Sequence, residues 1–205
     1  DRIDGDAPYY LGRPNTWGQR SSNIIIQQSD LIVALGTRLG LQQTGFNWQE
    51  FGREAKIVQV VIDPAELAKG HPRTDIAVNA DANDFLRRML AHGLESKPEW
   101  LARARQIRAA VPRVEAVNQT GTGYLSPYDF IVNLETLTRE DDLVIPCSSG
   151  SAFTLSMQLY KQKLGQRVIT NKSLASMGYG LSGAIGAAIA APGRRTILIE
   201  GDGGF

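Results

Sequence analysis

The sequence predicts an α/β protein made of two parallel-sheet units, and three observations carry that prediction. Short apolar runs of the kind that suits strands buried on both faces recur along the chain. Helical patterns fall between them, so strand and helix alternate. Several runs end in glycine or small polar residues, where a parallel strand hands over to its next helix.

Leu31-Ile-Val-Ala-Leu-Gly36 is the first run and Ile57-Val-Gln-Val-Val-Ile62 the second; Asp75-Ile-Ala-Val-Asn-Ala80 is a weaker third. Trp48 to Ala55 reads as a short helix. Asp63-Pro64 reads as a helix start. Asn83 to Leu94 reads as a longer helix, with Phe85, Leu86, Met89 and Leu90 on one face. Pro98 to Val111 is a charged helix with a solvated face, which Pro112 should end. Val114 to Gly123 is polar and glycine-bearing. Residues 1–95 are therefore assigned to a first domain, 96–125 to a connector and 126–205 to a second domain.

The second domain opens at Ser126-Pro127, a good helix start, and its first helix runs to about Thr138. Leu143 to Pro146 is a short strand, and Cys147 to Ser151 a turn of small residues. A helix follows over Ala152 to Gln162, then a strand over Arg167 to Thr170. Gly178 to Ala191 is a helix of small residues that can pack closely on a sheet. Thr196 to Glu200 is the last strand.

Composition sets outer bounds. With a formal net charge of +1 over 205 residues, nothing implies nucleic acid or an anionic membrane as partner. No apolar run approaches the ~20 residues that span a bilayer. Cys147 is the one cysteine, so no internal disulfide can form, which suits a cytoplasmic setting. His71 and His92 lie apart from it, which argues against a zinc site. The charged start Asp1-Arg-Ile-Asp lacks the apolar core of a signal peptide. Asn118-Gln-Thr and Asn171-Lys-Ser therefore read as chance matches to a glycosylation sequon. The absent initiator Met, and a last strand that stops in a glycine-rich turn, lead to the expectation of a fragment.

Three segments carry chemistry. Gly201-Asp202-Gly203-Gly204 directly follows the last strand, where ligands of open α/β sheets sit. Glycines let backbone N–H groups approach a phosphate, and an aspartate among them can hold Mg²⁺, which usually takes one or two carboxylates plus phosphate oxygens. Taken alone, Asp-Gly turns are common, and a plain turn is the other reading. Cys147-Ser-Ser-Gly-Ser151 joins a strand to a helix, so its N–H groups can face an anion. Leu174-Ala-Ser-Met-Gly-Tyr-Gly-Leu181 leads into the small-residue helix.

In that order these segments resemble the diphosphate-binding domain of thiamine-diphosphate enzymes, closest to acetolactate synthases and pyruvate oxidases. The resemblance implies that Asp202 binds Mg²⁺ and that Gly201, Gly203 and Gly204 cradle the cofactor diphosphate. It puts Ser149, Gly150 and Ser151 in the first diphosphate-binding turn, although the family usually has Gln-His where this chain has Ser151-Ala152. Met177 matches the bulky residue that props the cofactor into its bent shape; the alternative for Met177 is core packing. The Ala175 carbonyl matches the acceptor for the cofactor's amino group.

The first domain is similar to the family's Rossmann-like central domain through Gly12-Arg-Pro-Asn-Thr-Trp-Gly18, Ser29-Asp30, Leu35-Gly-Thr-Arg38, Thr44-Gly45, Val61-Ile-Asp-Pro64 and Asp81-Ala82. In acetolactate synthases that domain binds FAD. Gly36, Arg38 and Asp81 suit a nucleotide. Thr16-Trp-Gly18 and Arg38-Leu-Gly-Leu-Gln42 depart from the flavin pattern, and Val61 stands where an acid would grip ribose hydroxyls. Arg38 can instead pair with a carboxylate of its own domain, such as Asp63. The expectation is weak FAD binding or none.

The resemblance further implies a parent carboligase, acting as a homodimer or tetramer. It would decarboxylate a 2-oxo acid, most simply pyruvate, and transfer the two-carbon unit to an acceptor carbonyl. The cofactor carries the hard chemistry and the protein binds and aims it. The activating glutamate belongs to a pyrimidine domain outside this chain, so no catalytic residue is assigned within it and the chain alone is expected to be inactive. Two other readings remain: another family member, such as a pyruvate oxidase or decarboxylase, an acyl transferase or a branched-sugar synthase, and a non-catalytic nucleotide-binding module. A nicotinamide dehydrogenase is disfavoured, since no Gly-x-Gly-x-x-Gly follows the first strand.

Overall fold

A computed structural model describes residues 3–147, 149–171 and 174–205. Ser148, in the first turn, and Lys172 and Ser173, in the second sequon match, lie outside the described residues, as do Asp1 and Arg2. Two compact units divide the chain. One draws on Pro14–Thr16 and Arg20–Val111, the other on Asp1–Arg13, Trp17–Gln19 and Pro112–Phe205.

The first unit begins with helix α1 (Arg20–Gln27) and strand β1 (Leu31–Leu35). The short helix α2 (Leu41–Thr44) follows, then β2 (Lys56–Val61), α3 (Pro64–Ala68), β3 (Ile76–Asn79), α4 (Ala82–Ala91) and α5 (Pro98–Ala110). The strands pair in parallel in the order β1-β2-β3, with Val33 opposite Val58 and Val58 opposite Ile76. Ile32, Ala34, Leu39, Phe51, Ala55 and Ile57 form its core. Each large apolar side chain buried this way contributes about 1.5–3 kcal/mol.

Two elements differ from the sequence reading. Over Trp48–Ala55 only a single 3₁₀ turn forms, Trp48–Glu50. Gly52 stops it: its φ is +55°, and a Cβ there would lie 2.6 Å from Ile32 Cδ1, so the chain passes flush against β1. Helix α5 is not wholly solvated. Ala104 and Ile107 are buried, and α5 packs on α1, an element the sequence reading did not identify. The buried face of α1 is Ser21, Ser22 and Ile25, small enough to let the two helices approach. On α4, by contrast, Leu86 and Leu90 of the expected apolar face are exposed.

The second unit holds α6 (Pro127–Leu137), β4 (Leu143–Pro146), α7 (Gly150–Leu159), β5 (Arg167–Val168), α8 (Tyr179–Ala190) and β6 (Thr196–Ile199). Ser126 caps α6 by accepting from Asp129 N–H, with Pro127 at the first helical position, as its sequence predicts. The sheet is parallel in the order β5-β4-β6. β4 connects to β5 on one side, and β5 then crosses to β6 on the other side of β4. With right-handed crossovers this puts α7 and α8 on opposite faces. It also makes the β4–β6 boundary a topological switch point.

Ile131, Val144, Leu155, Leu159, Tyr160, Val168 and Ile199 form the core of this unit. Its sheet is locked at the amino edge. Asp142, fully buried, takes two hydrogen bonds from Arg195 (Nε 2.9 Å, Nη2 2.6 Å) and one from Arg139 N–H, while Leu143 N–H donates to Arg195 O. The N-terminal segment packs on this unit too: Gly5 N–H donates to Gln162 O, and Arg13 Nη2 donates to the Ser156 and Tyr160 carbonyls.

Candidate functional site

The three motif segments all leave the carboxyl edge of one sheet. Pro146 stands opposite Ile199 in the register, and Cys147 N–H donates to Ile199 O at 2.9 Å, so the ends of β4 and β6 are bonded neighbours. On the other side Ile169 N–H donates to Val144 O and Thr170 Oγ1 to Cys147 O. Ser149–Ser151 therefore starts from the central strand, Asn171–Gly178 from β5 and Glu200–Gly204 from β6. Segments well separated in sequence meet at the switch point because parallel strands all end on the same side.

Each segment has a local feature that presents it outward. Gly150, with φ +64°, opens helix α7, and Ser149 precedes it as the N-cap residue without making a side-chain cap bond. Gly150 and Ser151 are exposed, at the end of a ten-residue helix whose N-terminus carries partial positive charge. Ala175 holds φ +51°, a left-handed conformation that costs a non-glycine residue about 1 kcal/mol or more and concentrates at functional sites. Met177 is 79% exposed. Its side chain thus lies outside the core of the described residues.

Gly201–Gly204 curls into one 3₁₀ turn at the end of β6, with Gly204 N–H donating to Gly201 O. Asp202 is exposed, and among the described residues no ion pair holds its carboxylate. Gly203 is also exposed and nothing lies within 4 Å of where a Cβ would be. This donor set fits Mg²⁺ with a diphosphate: one free carboxylate, small neighbours and room beside them. No three His, Cys, Asp or Glu side chains cluster among the described residues, so a cation at Asp202 would draw its remaining oxygens from phosphate, backbone or water.

Behind the turn lies Glu200, which the sequence reading left as a strand end. Its Oε1 accepts from Gly201 N–H at 3.3 Å, and its Oε2 is shut off from solvent with no hydrogen-bond partner among the described residues. A buried unpaired oxygen of this kind costs about 1–3 kcal/mol, so its retention calls for an explanation. The available signal was an acid closing an apolar strand just ahead of Gly-Asp-Gly-Gly. Beside it, Cys147 is buried and donates to Ser149 O at 2.8 Å. Burial, and then the Glu200 carboxylate, push its thiol above the ordinary range. Both effects work against an activated thiolate and suit a packing residue.

The carboxyl edge of the first unit is built differently. Gly36 N–H donates to Val60 O, so that amide is already engaged. Asp81 caps α4, accepting from the N–H groups of Asn83 and Asp84. Asp63 caps α3 by accepting from Ala65 N–H. Arg38 lies 3.6 Å from Glu66, not on Asp63, and its carbonyl accepts from Lys69. Gly36, Arg38 and Asp81 thus each take part in the unit's own structure.

Residues 1–89 match the family described as the thiamine pyrophosphate enzyme central domain, and residues 148–205 match the C-terminal thiamine-pyrophosphate-binding domain. The chain is 30% identical, over 98% of its length, to a protein of Methanocaldococcus jannaschii named "Probable acetolactate synthase large subunit", covering 34% of that protein. It is 32% identical, over 96% of its length, to the acetolactate synthase isozyme 1 large subunit of Escherichia coli, again covering 34%. It is 30% identical, over 96% of its length, to the pyruvate oxidase of Lactiplantibacillus plantarum, covering 32%. The chain spans about a third of the length of these curated relatives.

Proposed function

Because the chain belongs to the thiamine pyrophosphate enzymes, we propose that it forms the central unit and the diphosphate-binding edge of a carboligase that decarboxylates a 2-oxo acid and joins the two-carbon unit to an acceptor carbonyl. The observation that carries the reading is the meeting of the three motif segments at one switch point, with the Asp202 carboxylate free. Asp202 would hold Mg²⁺. Gly201, Gly203 and Gly204, with Ser149, Gly150 and Ser151, would surround the diphosphate. Met177 and the Ala175 carbonyl would fix the bend and the amino group of the organic part.

Thiamine diphosphate, when bound, supplies the nucleophilic carbon and the electron sink that decarboxylation of a 2-oxo acid needs. This chain's residues would hold its charged end and set its shape. Pyruvate is the substrate proposed, since one relative is named for pyruvate and the others for acetolactate. The activating acid would come from a pyrimidine domain outside these 205 residues, in a homo-oligomer in the cytoplasm. The likeness to pyruvate oxidase supports a second reading, in which the two-carbon unit is oxidised instead of joined. A product assay on the intact protein with pyruvate separates a new carbon–carbon bond from an oxidised two-carbon acid.

The direct test is titration of thiamine diphosphate at stepped Mg²⁺ concentrations into the intact protein and its Asp202→Ala and Asp202→Asn variants. The expected result is a higher requirement for both ligands, larger in Ala than in Asn, with the fold intact. Arg105→Ala serves as a surface control. If Asp202→Ala binds the cofactor as tightly as the unaltered protein, the turn is only structural and the reading fails.

A further inference from the structure

The Glu200 carboxylate lies between two elements of the β4–β6 crevice, the Gly201–Gly204 turn and the first turn of α8. Its Oε1 takes the Gly201 N–H at the start of the metal-binding turn. A Cβ on Gly204 would lie 2.7 Å from Glu200 Cδ, and one on Gly180, in the first turn of α8, 2.9 Å from the same atom. The Cβ at Gly180 would also come within 3.2 Å of Cys147 Cβ at the end of β4. The carboxyl group thus fills a slot between two glycines that have no side chain to yield. One lies on the helix and the other on the turn. Its Oε2 is enclosed there, beside the Cys147 thiol and with no hydrogen bond of ordinary geometry among the described residues, so the wedged shape of the group is what the geometry points to.

Resting on the proposed function, we propose that Glu200 is a positioning residue for the metal-binding turn: its carboxyl group, wedged between Gly180 and Gly204, sets the curl of Gly201–Gly204 against α8 and so aims Asp202. Glu200 touches neither metal nor cofactor in this account. It acts through the backbone of the turn, as groups behind a metal ligand do when they fix its orientation. Shape is what matters, so an amide of the same outline should serve. Removing the side chain should leave the turn unsupported. Adding a methyl on the far wall, at Gly180, should displace the carboxyl group into the turn.

The test is isothermal titration of thiamine diphosphate at stepped Mg²⁺ into the intact protein, with melting of the cofactor-free protein as a parallel readout. Glu200→Ala should raise the Mg²⁺ requirement about 10–100-fold, the range seen when such supporting groups are removed. Glu200→Gln should stay within about threefold of the unaltered protein, on the same scale. Gly180→Ala, which has no assigned cofactor contact, should raise the requirement too, yet add nothing further in the Glu200→Ala background. That non-additivity is a readout which general destabilisation would not produce. Equal costs of Gly180→Ala in both backgrounds, or Gln behaving like Ala, would overturn the inference. So would an unchanged Mg²⁺ requirement in Glu200→Ala while Asp202→Ala is impaired. If Glu200→Ala does not fold, Glu200→Gln and Gly180→Ala alone decide: the first must retain binding and the second must weaken it. An unimpaired Asp202→Ala would instead bring down the proposed function itself.

Discussion

The two sheets share strand number and direction but differ in how the polar groups at their carboxyl edges are used. In the first unit those groups are consumed locally. Asp63 and Asp81 cap helices, Gly36 N–H bonds Val60 O, and Asn79 Nδ2 donates to the Val61 and Ile62 carbonyls. In the second unit Asp202 is exposed and Gly203 borders open space, while Met177 and the strained Ala175 stand on the neighbouring segment. Both units are tied instead at the amino edge. Asp75 Oδ2 accepts from Ile57 N–H at 2.8 Å in the first, and Asp142 grips Arg195 in the second. A parallel sheet supplies the same crevice in both cases; which one can serve a ligand depends on what its loops leave unbonded.

The largest effect should come from the amino-edge lock. Asp142→Ala strands the Arg195 guanidinium, which is part exposed, and frees Arg139 N–H. The cost should be read as a lower denaturant midpoint, tempered by the solvent that reaches the Arg195 side chain. The same contact predicts acid sensitivity. Burial pushes the Asp142 carboxyl up, but the Arg195 hydrogen bond, the Arg139 N–H and the nearby guanidinium charges outweigh it and hold it below the ordinary carboxylate range. The contribution is therefore fully present above that range and is lost as pH falls through the depressed value. Asp142→Asn should flatten this part of the stability–pH curve. An unchanged curve would show that the lock is not what ties the β4 and β6 strands.

A smaller effect tests the first unit's edge. Asp81 should matter as a helix cap and for nothing else in cofactor binding. Asp81→Ala should cost about 1 kcal/mol and leave thiamine diphosphate affinity unchanged. Asp81→Asn or Asp81→Ser should recover most of the stability, since either can accept from the same N–H groups. If the Ala variant were as stable as the original but bound the cofactor poorly, the contrast between the two edges would collapse.

What the sequence makes legible follows the same divide. Strands β1, β2, β4 and β6 stand out because each is mostly apolar, although only β4 is buried along its whole length. Helix α6 stands out through Ser126-Pro127. Helix α1 does not, because Ile24-Ile-Ile26 has strand-like composition and its buried face is made partly of serines chosen by the helix it packs on. The glycines and Asp202 are visible as a motif. Glu200 is not: its role depends on Gly180 and Gly204 closing on it from two elements, a coincidence of three positions that only the fold brings together.

Arg38 should have almost no effect on stability. Its side chain is mostly exposed and its ion pair to Glu66 is long, so Arg38→Ala should change the unfolding free energy by less than ~0.5 kcal/mol. The ligand readout is more telling. With Gly36 and Asp81 engaged within the unit, FAD titrated into the intact protein should keep its free fluorescence, and the Arg38 variant should behave identically. A purified intact protein that is yellow with one flavin per chain would break the comparison, because the first edge would then have to open its caps to bind.

The last prediction separates a binding residue from a packing residue at the second edge. Met177 is 79% exposed, so truncating it removes almost no buried surface. Met177→Ala should shift the stability of the cofactor-free protein by no more than ~0.5 kcal/mol, as surface substitutions do. If the thioether side chain props the bound cofactor, binding covers it, and burial of a methionine is worth about 1.5–3 kcal/mol. Since about 1.4 kcal/mol corresponds to tenfold in affinity, the variant should lose at least about tenfold in thiamine diphosphate binding at saturating Mg²⁺. Met177→Leu, of similar volume, should lose much less. The dependence on Mg²⁺ should keep its original midpoint in both, because Met177 lies on the Asn171–Gly178 segment and not on the Gly201–Gly204 turn proposed to hold the metal. Loss of stability without loss of affinity would make Met177 a packing residue after all. An altered Mg²⁺ midpoint would mean that the two segments act as one site and cannot be taken apart by single substitutions.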